Sequence, residues 1–316
     1  MANYDIGSLI KRLRKQRGLT QEELAYPLID RATLSKIESG KVTPSKRTTE
    51  ALLQRLGFNP VNTIDFFLDE EMSRIHKIME EIRALNSFRE TAVSETSLAK
   101  AAKVDDLIAR LESNEKFMQS KLNSQFIMAH KCKNAYINRH EGPAEVMPMM
   151  LEALKITIPE YNQRHIENYY LTSQETGLLH DISIMAQVGG DDEAAIEICE
   201  ALRKNVMENT LDMAEMGTWY TTITNSLARC LSLAGRYQEA LEVCDEGIMV
   251  GRQTKVLISF PNIVAIKARC LFELGDKEEA EKLYRQAYHA CAMAGLFATM
   301  EGIRESAEAR LGIKIF

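Results

Sequence analysis

A short segment near the N-terminus carries residue types that can contact the base edges of double-stranded DNA. With Leu34 and Ile37 turned inward on a helix, the outer face is formed by Arg31, Ala32, Ser35 and Lys36. Arginine and lysine suit the O6 and N7 acceptors of guanine, alanine can touch a thymine methyl, and hydroxyls suit backbone oxygens. A solvated basic face is the alternative interpretation. The predicted DNA-contacting residues of this helix are Arg31, Ala32, Thr33, Ser35 and Lys36.

Local signals around this segment predict the elements that position it. Thr20 and Glu23 have the spacing of a capping box, in which each side chain satisfies an unpaired backbone N–H at a helix start. Asp30 is placed to cap the next helix and Gly40 to end it. Residues 6–45 are therefore expected to hold short helices joined by a tight connection, which is a helix-turn-helix (HTH). Such motifs lay one helix in the major groove of DNA.

Apolar residues at helical spacing predict a small core for this unit. Ile6, Leu9, Ile10 and Leu13 form the stripe of the first helix. The other walls of the core are expected to come from Leu24, Leu28, Leu34, Ile37, Leu52, Leu53 and Leu56.

On these residues the segment resembles the phage-repressor type of HTH. The resemblance implies that Gln21 contacts DNA near a helix N-terminus and that Arg14 and Glu38 form a buried structural pair. Pro27 departs from the pattern, because proline removes a backbone donor and clashes one turn back. The second helix is therefore expected to be short or bent. The connection to the third helix is also one residue shorter than in phage repressors.

Charge and composition support a nucleic-acid-binding head on an acidic body. The chain of 316 residues has a net charge of −6, but residues 1–68 carry 11 Lys and Arg against 7 Asp and Glu, and the remainder carries 28 against 38. Such asymmetry is typical of a head that binds nucleic acid. No signal peptide opens the chain and no apolar run is long enough to span a membrane, so a cytoplasmic protein is expected.

The body is predicted to be all-α. Helical periodicity continues almost throughout from residue 70, interrupted by glycine turns and by no convincing β-alternation. The six cysteines occur singly among Leu, Ala and Ile, which indicates buried reduced thiols. They are Cys132, Cys199, Cys230, Cys244, Cys270 and Cys291.

Internal repetition is the second strong signal. The segment 235–248 aligns with 275–288 and, more weakly, with 190–203; the aligned glycines are 40 and 45 residues apart. An alanine follows each glycine five residues later, at positions 195, 240 and 280. The pattern resembles loose tetratricopeptide (TPR) repeats, in which glycine turns the chain between paired helices and a small residue lets them approach. Two degenerate repeats are expected in 70–160 and a capping helix at 297–311.

The TPR resemblance implies a superhelix with a concave groove lined by the first helix of each pair. Counting back from each glycine places the groove positions at His180, Ile184, Gln187, Thr222, Asn225, Arg229, Asn262, Arg269 and Phe272.

Arg229 and Arg269 occupy the same place in successive repeats. Two arginines on an inner wall are good anchors for a carboxylate, and asparagines beside them can pair with peptide amides. Salt bridges to neighbouring helices are the alternative for the arginines. Trp219 is expected to pack between repeats rather than to hold a ligand, and the Met-rich stretch at 147–150 is expected to be core filler rather than an adaptable contact surface.

An HTH head followed by about five TPR-like helix pairs resembles the peptide-pheromone-responsive regulators of Gram-positive bacteria, of the Rgg, PlcR, PrgX and NprR type. The resemblance implies a homodimer, a right-handed α-superhelix, a short signalling peptide in the groove, and transcriptional control by reorientation of two heads. An asparagine frequent in the family is replaced here by Ser226. The predicted domains are 1–68 (HTH) and 69–316 (linker helix, repeats, capping helix), with coupling through residues 62–86.

Two other classes of function remain open from the residues alone. The array could bind a protein partner or no ligand, since TPR grooves take either, or the chain could be an interaction scaffold with a vestigial head. An enzyme is not expected, because the six histidines have no metal-ligand spacing and no phosphate-binding loop or nucleophile elbow is present. No cofactor and no metal are predicted.

Overall fold

A computed structural model describes residues 6–26, 28–44, 46–56, 70–87, 93–210 and 212–312, all helical or irregular with no strand among them. The chain divides into two compact units, Met1–Ala84 and Leu85–Phe316. The predicted boundary between residues 68 and 69 falls outside the described residues. The helices of the first unit are α1 (Ile6–Gln16), α2 (Gln21–Ala25), α3 (Arg31–Glu38), α4 (Lys46–Arg55) and α5 (Glu70–Leu85), of which the last ends at the first residue of the second unit.

Local capping determines where the head helices begin. The Thr20 hydroxyl accepts from the backbone N–H of Glu23, and the Glu23 carboxylate accepts in return from the N–H of Thr20, so the predicted capping box is confirmed. The Asp30 carboxylate likewise caps α3 by accepting from the backbone N–H of Thr33 at 2.8 Å. Gly40 follows α3 with a φ of 70°, a left-handed conformation that glycine adopts without strain.

The α2 helix is short, as Pro27 predicts. It ends at Ala25, and Tyr26 is extended (φ −72°, ψ 139°), which is the conformation that a following proline favours. A guanidinium N–H of Arg55 on α4 donates to the carbonyl oxygens of Leu24 (3.0 Å) and Tyr26, so the unpaired carbonyls at this end are satisfied from another helix.

The core of the head differs from expectation at one position. Leu28 was predicted to lie in the core, and this prediction is wrong, since its side chain is 42% exposed. Because α2 ends before Pro27, the chain leaves the helical register, and Ile29 packs against the core instead. The residues buried together are Leu9, Ile10, Leu13, Leu24, Ala25, Leu34, Ile37, Leu52, Leu53 and Leu56.

The second unit is an array of antiparallel helices. In 93–210 these are α6 (Glu95–Glu112), α7 (Glu115–Met118), α8 (Lys121–Ile137), α9 (Pro143–Lys155), a 3-10 helix (Gln163–Asn168), α10 (Ser173–Val188) and α11 (Asp192–Asn209). In 212–312 they are α12 (Met213–Leu233), α13 (Tyr237–Thr254), α14 (Phe260–Glu273), α15 (Lys277–Ala294) and α16 (Phe297–Leu311). The last coincides with the expected capping helix.

The repeating unit is a helical hairpin closed by glycine. The pairs α10–α11, α12–α13 and α14–α15 pack against each other, and each helix also contacts the next pair. Gly190, Gly235 and Gly275 turn the chain within the hairpins with φ of 88°, 76° and 98°. The aligned alanines at 195, 240 and 280 are completely buried, as the need for close helix approach predicts.

The cysteines lie in the interior of the array. All six are buried and free, which confirms the expectation of reduced thiols. Burial raises the pKa of Cys132 and of Cys199 to about 12, because a thiolate loses its hydration in apolar surroundings. Among the described residues, no helix combines the length and apolar composition needed to cross a bilayer.

Candidate functional site

The outer face of α3 presents the predicted DNA-contacting residues. Arg31, Ala32, Ser35 and Lys36 are exposed, while Leu34 and Ile37 are buried on the opposite side of the helix. Thr33 is half-buried, and its hydroxyl donates to the Asp30 carboxylate at 2.6 Å. This hydrogen bond holds the pKa of Asp30 below its usual value. It also commits the hydroxyl hydrogen of Thr33 to a partner within the head.

A buried ion pair stands behind this face. Arg14 Nε and Nη2 donate to the two carboxylate oxygens of Glu38 at 2.6 and 2.9 Å, so the implied pair is present with two-pronged geometry. Burial pushes the pKa of Glu38 up, but the hydrogen bonds from Arg14 and Gln21 outweigh it and leave the pKa lowered.

Gln21 also belongs to this network. Its side-chain amide donates to Glu38 Oε2 at 2.9 Å, so one amide N–H is committed to the head. The second amide hydrogen and the carbonyl oxygen of a glutamine can still serve another partner. The head therefore fixes the direction of the Gln21 side chain before any DNA contact.

The array holds a cavity of about 550 Å³, within the range of small-molecule sites. Four helices, α10, α12, α14 and α16, contribute its walls. This space is termed the inner cavity, and its lining residues are His180, Ile184, Thr222, Asn225, Ser226, Arg229, Asn262, Ala265, Ile266, Arg269, Thr299, Gly302, Ile303 and Ser306.

Two guanidinium groups give the inner cavity a positive character. Within the part of the chain that the structure describes, neither Arg229 nor Arg269 forms an ion pair, so the salt-bridge alternative finds no partner there. Arg269 Nε and Asn225 Oδ1 are buried without a hydrogen-bond partner. A buried polar atom without a partner destabilises the fold. A ligand with both oxygen acceptors and N–H donors would satisfy the N–H of Arg269 and the amide oxygen of Asn225.

A neutral hydrogen bond forms another part of the lining. His180 Nε2 lies 2.8 Å from Ser226 Oγ, so Ser226 pairs with a residue of the preceding repeat. Burial lowers the pKa of His180 to about 4, and the nearby charges of Lys133 and Arg229 act in the same direction against that of Asp181. His180 is therefore uncharged at neutral pH.

The predicted groove positions do not all meet in one place. Seven of them line the inner cavity, whereas Gln187 and Phe272 lie outside its lining near the ends of α10 and α14. Phe272 instead has the ammonium group of Lys277 5.6 Å from its ring centroid. The α16 wall was missed by sequence analysis, although Thr299, Gly302 and Ser306 have the spacing of one helix face.

Two other expectations concern packing. The indole N–H of Trp219 on α12 donates to Ser173 Oγ at 2.9 Å, and its ring packs on Gly177 of α10, so it joins two repeats as expected. Met150 is buried, with Met147 and Met149 packed against the same core, which confirms the core-filler interpretation. No group of His, Cys, Asp and Glu within the described ranges could hold a metal ion.

The head matches a known family in sequence. Residues 5–65 match the family model of the helix-turn-helix domain. An uncharacterized HTH-type transcriptional regulator of Methanothermobacter thermautotrophicus is 38% identical over 65 residues, which are 20% of this chain and 93% of the relative. The chain therefore belongs to the HTH-type transcriptional regulators.

Several solved structures share the fold of nearly the whole chain. Bacillus thuringiensis PlcR in complex with the peptide PapR7 and DNA is similar with a TM-score of 0.64 and 17% identity, over 95% of this chain and 98% of PlcR. ComR from S. thermophilus in complex with DNA and its signalling peptide ComS is similar with a TM-score of 0.55 and 14% identity, over 98% and 100% of the two chains. TPR-like repeats from Podosopora anserina match with a TM-score of 0.50 and 16% identity, over 72% and 99%. The fold is thus an HTH head with a TPR-like array.

Proposed function

We propose that this chain is a cytoplasmic, homodimeric transcriptional regulator that binds promoter DNA through α3 and is controlled by a short signalling peptide in the inner cavity. The observation that carries the proposal is the pair of guanidinium groups, Arg229 and Arg269, that line the cavity without an ion-pair partner among the described residues. A peptide carboxylate supplies the missing charge, and its amides pair with Asn225 and Asn262. The PlcR and ComR complexes with peptide and DNA support the same assignment.

The DNA-binding step of the proposal follows from the exposed face of α3. Arg31 and Lys36 contact guanines, Ala32 contacts a thymine methyl, and Ser35 donates to a backbone oxygen. Gln21 contacts DNA near the N-terminus of α2, whereas the hydroxyl of Thr33, which donates to Asp30, makes no such contact. A dimer of HTH heads reads two half-sites about one helical turn apart. The spacing of protected half-sites in a footprint, together with the mass of the protein in solution, tests the dimer.

Peptide control requires a difference in affinity. The peptide binds one conformation of the array better than another, and it shifts the population by no more than that difference. We propose that the segment 62–86, of which residues 62–69 lie outside the described residues, carries this change. At its C-terminal end, inside the second unit, the side-chain amide of Asn138 donates to Asn86 Oδ1 at 2.9 Å and to the carbonyl oxygen of Leu85 at 3.4 Å. Asn138→Ala is then expected to retain peptide while losing its effect on DNA binding.

The decisive experiment selects ligands and tests the arginines. The full-length protein is incubated with a random-sequence heptapeptide library bearing free C-terminal carboxylates, and retained peptides are identified by mass spectrometry. The wild type should retain a defined set, and Arg229→Ala/Arg269→Ala should retain none of it. Arg236→Ala/Arg304→Ala is the matched control, since it removes the same charge from arginines already paired with glutamates.

Binding of DNA by the same variants completes the test. A duplex selected by the wild type from a random-sequence library should bind equally well to the Arg229→Ala/Arg269→Ala variant without peptide, since these residues lie in the second unit. Only the change in binding caused by the retained peptide should disappear. Retention of the same peptides by the double variant would overturn the cavity assignment, and failure of the wild type to retain any would favour a protein partner.

A further inference from the structure

The helix α16 contains a glycine that its own structure does not require. Gly302 is the sixth residue of Phe297–Leu311, well inside the helix, where glycine is a poorer helix former than alanine. Its φ is not positive, so the backbone conformation is open to any residue. The position therefore loses helix stability without a conformational reason.

Close packing explains the other helix-interior glycines of the array but not this one. A Cβ added at Gly177 would lie 3.0 Å from Trp219, at Gly217 2.3 Å from Thr254, and at Gly247 2.5 Å from Thr224. At Gly251 it would lie 2.9 Å from the carbonyl oxygen of Val256. At Gly302 it would meet no atom within 4 Å.

The empty space beside Gly302 belongs to the inner cavity. Gly302 is exposed and lines the cavity together with Thr299 and Ser306, at positions that share one face of α16. Without a side chain at this position, bare backbone forms this part of the cavity lining. The glycine is thus explained if a ligand occupies the space beside it.

We infer that Gly302 is the specificity-determining position of the inner cavity, where it sets the size of the ligand group that lies against α16. This inference rests on the proposed function and adds to it the chemistry of the ligand. The α12 and α14 walls bring the guanidinium groups, whereas α16 brings hydroxyls, Ile303 and bare backbone. The ligand is a short peptide that directs a carboxylate to the arginines and packs an uncharged side chain on Gly302.

Three variants test the assignment with the same random-sequence heptapeptide library. Gly302→Ala adds one methyl group and should raise the midpoint of thermal unfolding, because alanine is the better helix former and nothing blocks its Cβ. Gly302→Leu fills the space and should weaken binding of the peptides that the wild type retains by about tenfold or more. Its own retained peptides should carry smaller residues at one fixed position. Ala298→Leu, which introduces the same side chain at an exposed α16 position outside the cavity lining, should behave as wild type.

The outcomes separate this inference from the proposed function. Retention of the same peptides with unchanged affinity by Gly302→Leu would overturn the inference while leaving peptide control intact. A lower unfolding midpoint for Gly302→Ala would also overturn it, since the glycine would then serve packing. Failure of the wild type to retain any peptide would overturn both. Circular dichroism of each variant checks that the total helix content matches that of the wild type, and the smaller Gly302→Ala change keeps the test valid if the leucine variant unfolds.

Discussion

His180 and Ser226 form a hydrogen bond of 2.8 Å that joins the inner helices α10 and α12 of successive repeats. Both residues are buried, and both line the inner cavity. Ser226 therefore has its hydrogen-bond partner in the neighbouring repeat. The pair closes part of the cavity wall with an uncharged contact.

The low pKa of His180 predicts a loss of stability in acid. The folded state holds the pKa at about 4, below its ordinary value of 6.5, so between these values the unfolded chain binds more protons. The free energy of unfolding should therefore fall by roughly 1.4 kcal/mol for each pH unit as the pH decreases from 6.5 to about 4. Denaturation followed by the fluorescence of Trp219, the one tryptophan, measures the array. His180→Gln should flatten the dependence, whereas His289→Gln, at an exposed position, should leave it unchanged.

The ion pair between Arg14 and Glu38 should be essential to the head. Their side chains are 10% and 2% exposed, so removal of one partner leaves the other charge buried and unpaired. Glu38→Ala should lower the free energy of unfolding of the head by about 3 kcal/mol. Hydrogen exchange of the amides of α1 to α3 in the full chain measures this loss. Exchange in Glu22→Ala, which alters an exposed carboxylate of α2, should match wild type; equal protection in both variants would contradict the prediction.

The exposed face of α3 should account for site-specific binding. Arg31→Ala or Lys36→Ala should weaken binding to the duplex selected by wild type by about 1–3 kcal/mol if the side chain contacts a base. A contact to phosphate would instead weaken all duplexes alike and reduce the salt dependence. Fluorescence anisotropy over a salt series distinguishes the two. Lys116→Ala, an exposed array position, is the charge-matched control, and unchanged affinity in both α3 variants would remove this face from the interface.

Close helix approach should make Gly247 intolerant of any side chain. A Cβ there would lie 2.5 Å from Thr224 Cγ2 and 3.3 Å from Ile263 Cδ1. Gly247→Ala should therefore cost about 1–3 kcal/mol of unfolding free energy through overpacking. Adding Thr224→Ser, which deletes the obstructing methyl group and keeps the hydroxyl, should recover part of the loss. A double-mutant cycle from urea denaturation measures the coupling, and simple additivity of the two changes would argue against steric conflict.

Local signals were sufficient to predict much of the fold. The caps at Thr20 and Asp30 depend on residues three positions apart, and the turns at Gly235 and Gly275 depend on the conformation of one residue. Because the repeats align at their glycines, the groove positions of α10, α12 and α14 could be assigned at equivalent places in each hairpin. His180 and Arg229 could be placed because the TPR resemblance supplied the groove positions and the glycine spacing supplied the register.

Features that depend on long-range packing could not be predicted in this way. Leu28 has the correct apolar character, but Pro27 displaces the chain and Ile29 takes its place in the core. The helix α16 was predicted only as a capping helix and its face was not counted, although Gly312 ends it with a φ of 68° and follows Ser306 at the same spacing as Gly275 follows Arg269. The spacing of residues along the chain also does not show that no atom lies near Gly302, because this depends on how the helices pack.

The complete burial of the native thiols makes the chain suited to spectroscopic labelling. Thiolates are the reactive form toward maleimides, and solvent-shielded sulfurs with elevated pKa values react slowly. One cysteine introduced at a surface position of each unit would accept a spin label or fluorophore without replacement of the natural six. Changes in separation between two such probes on adding a ligand could then be followed in an otherwise unaltered molecule.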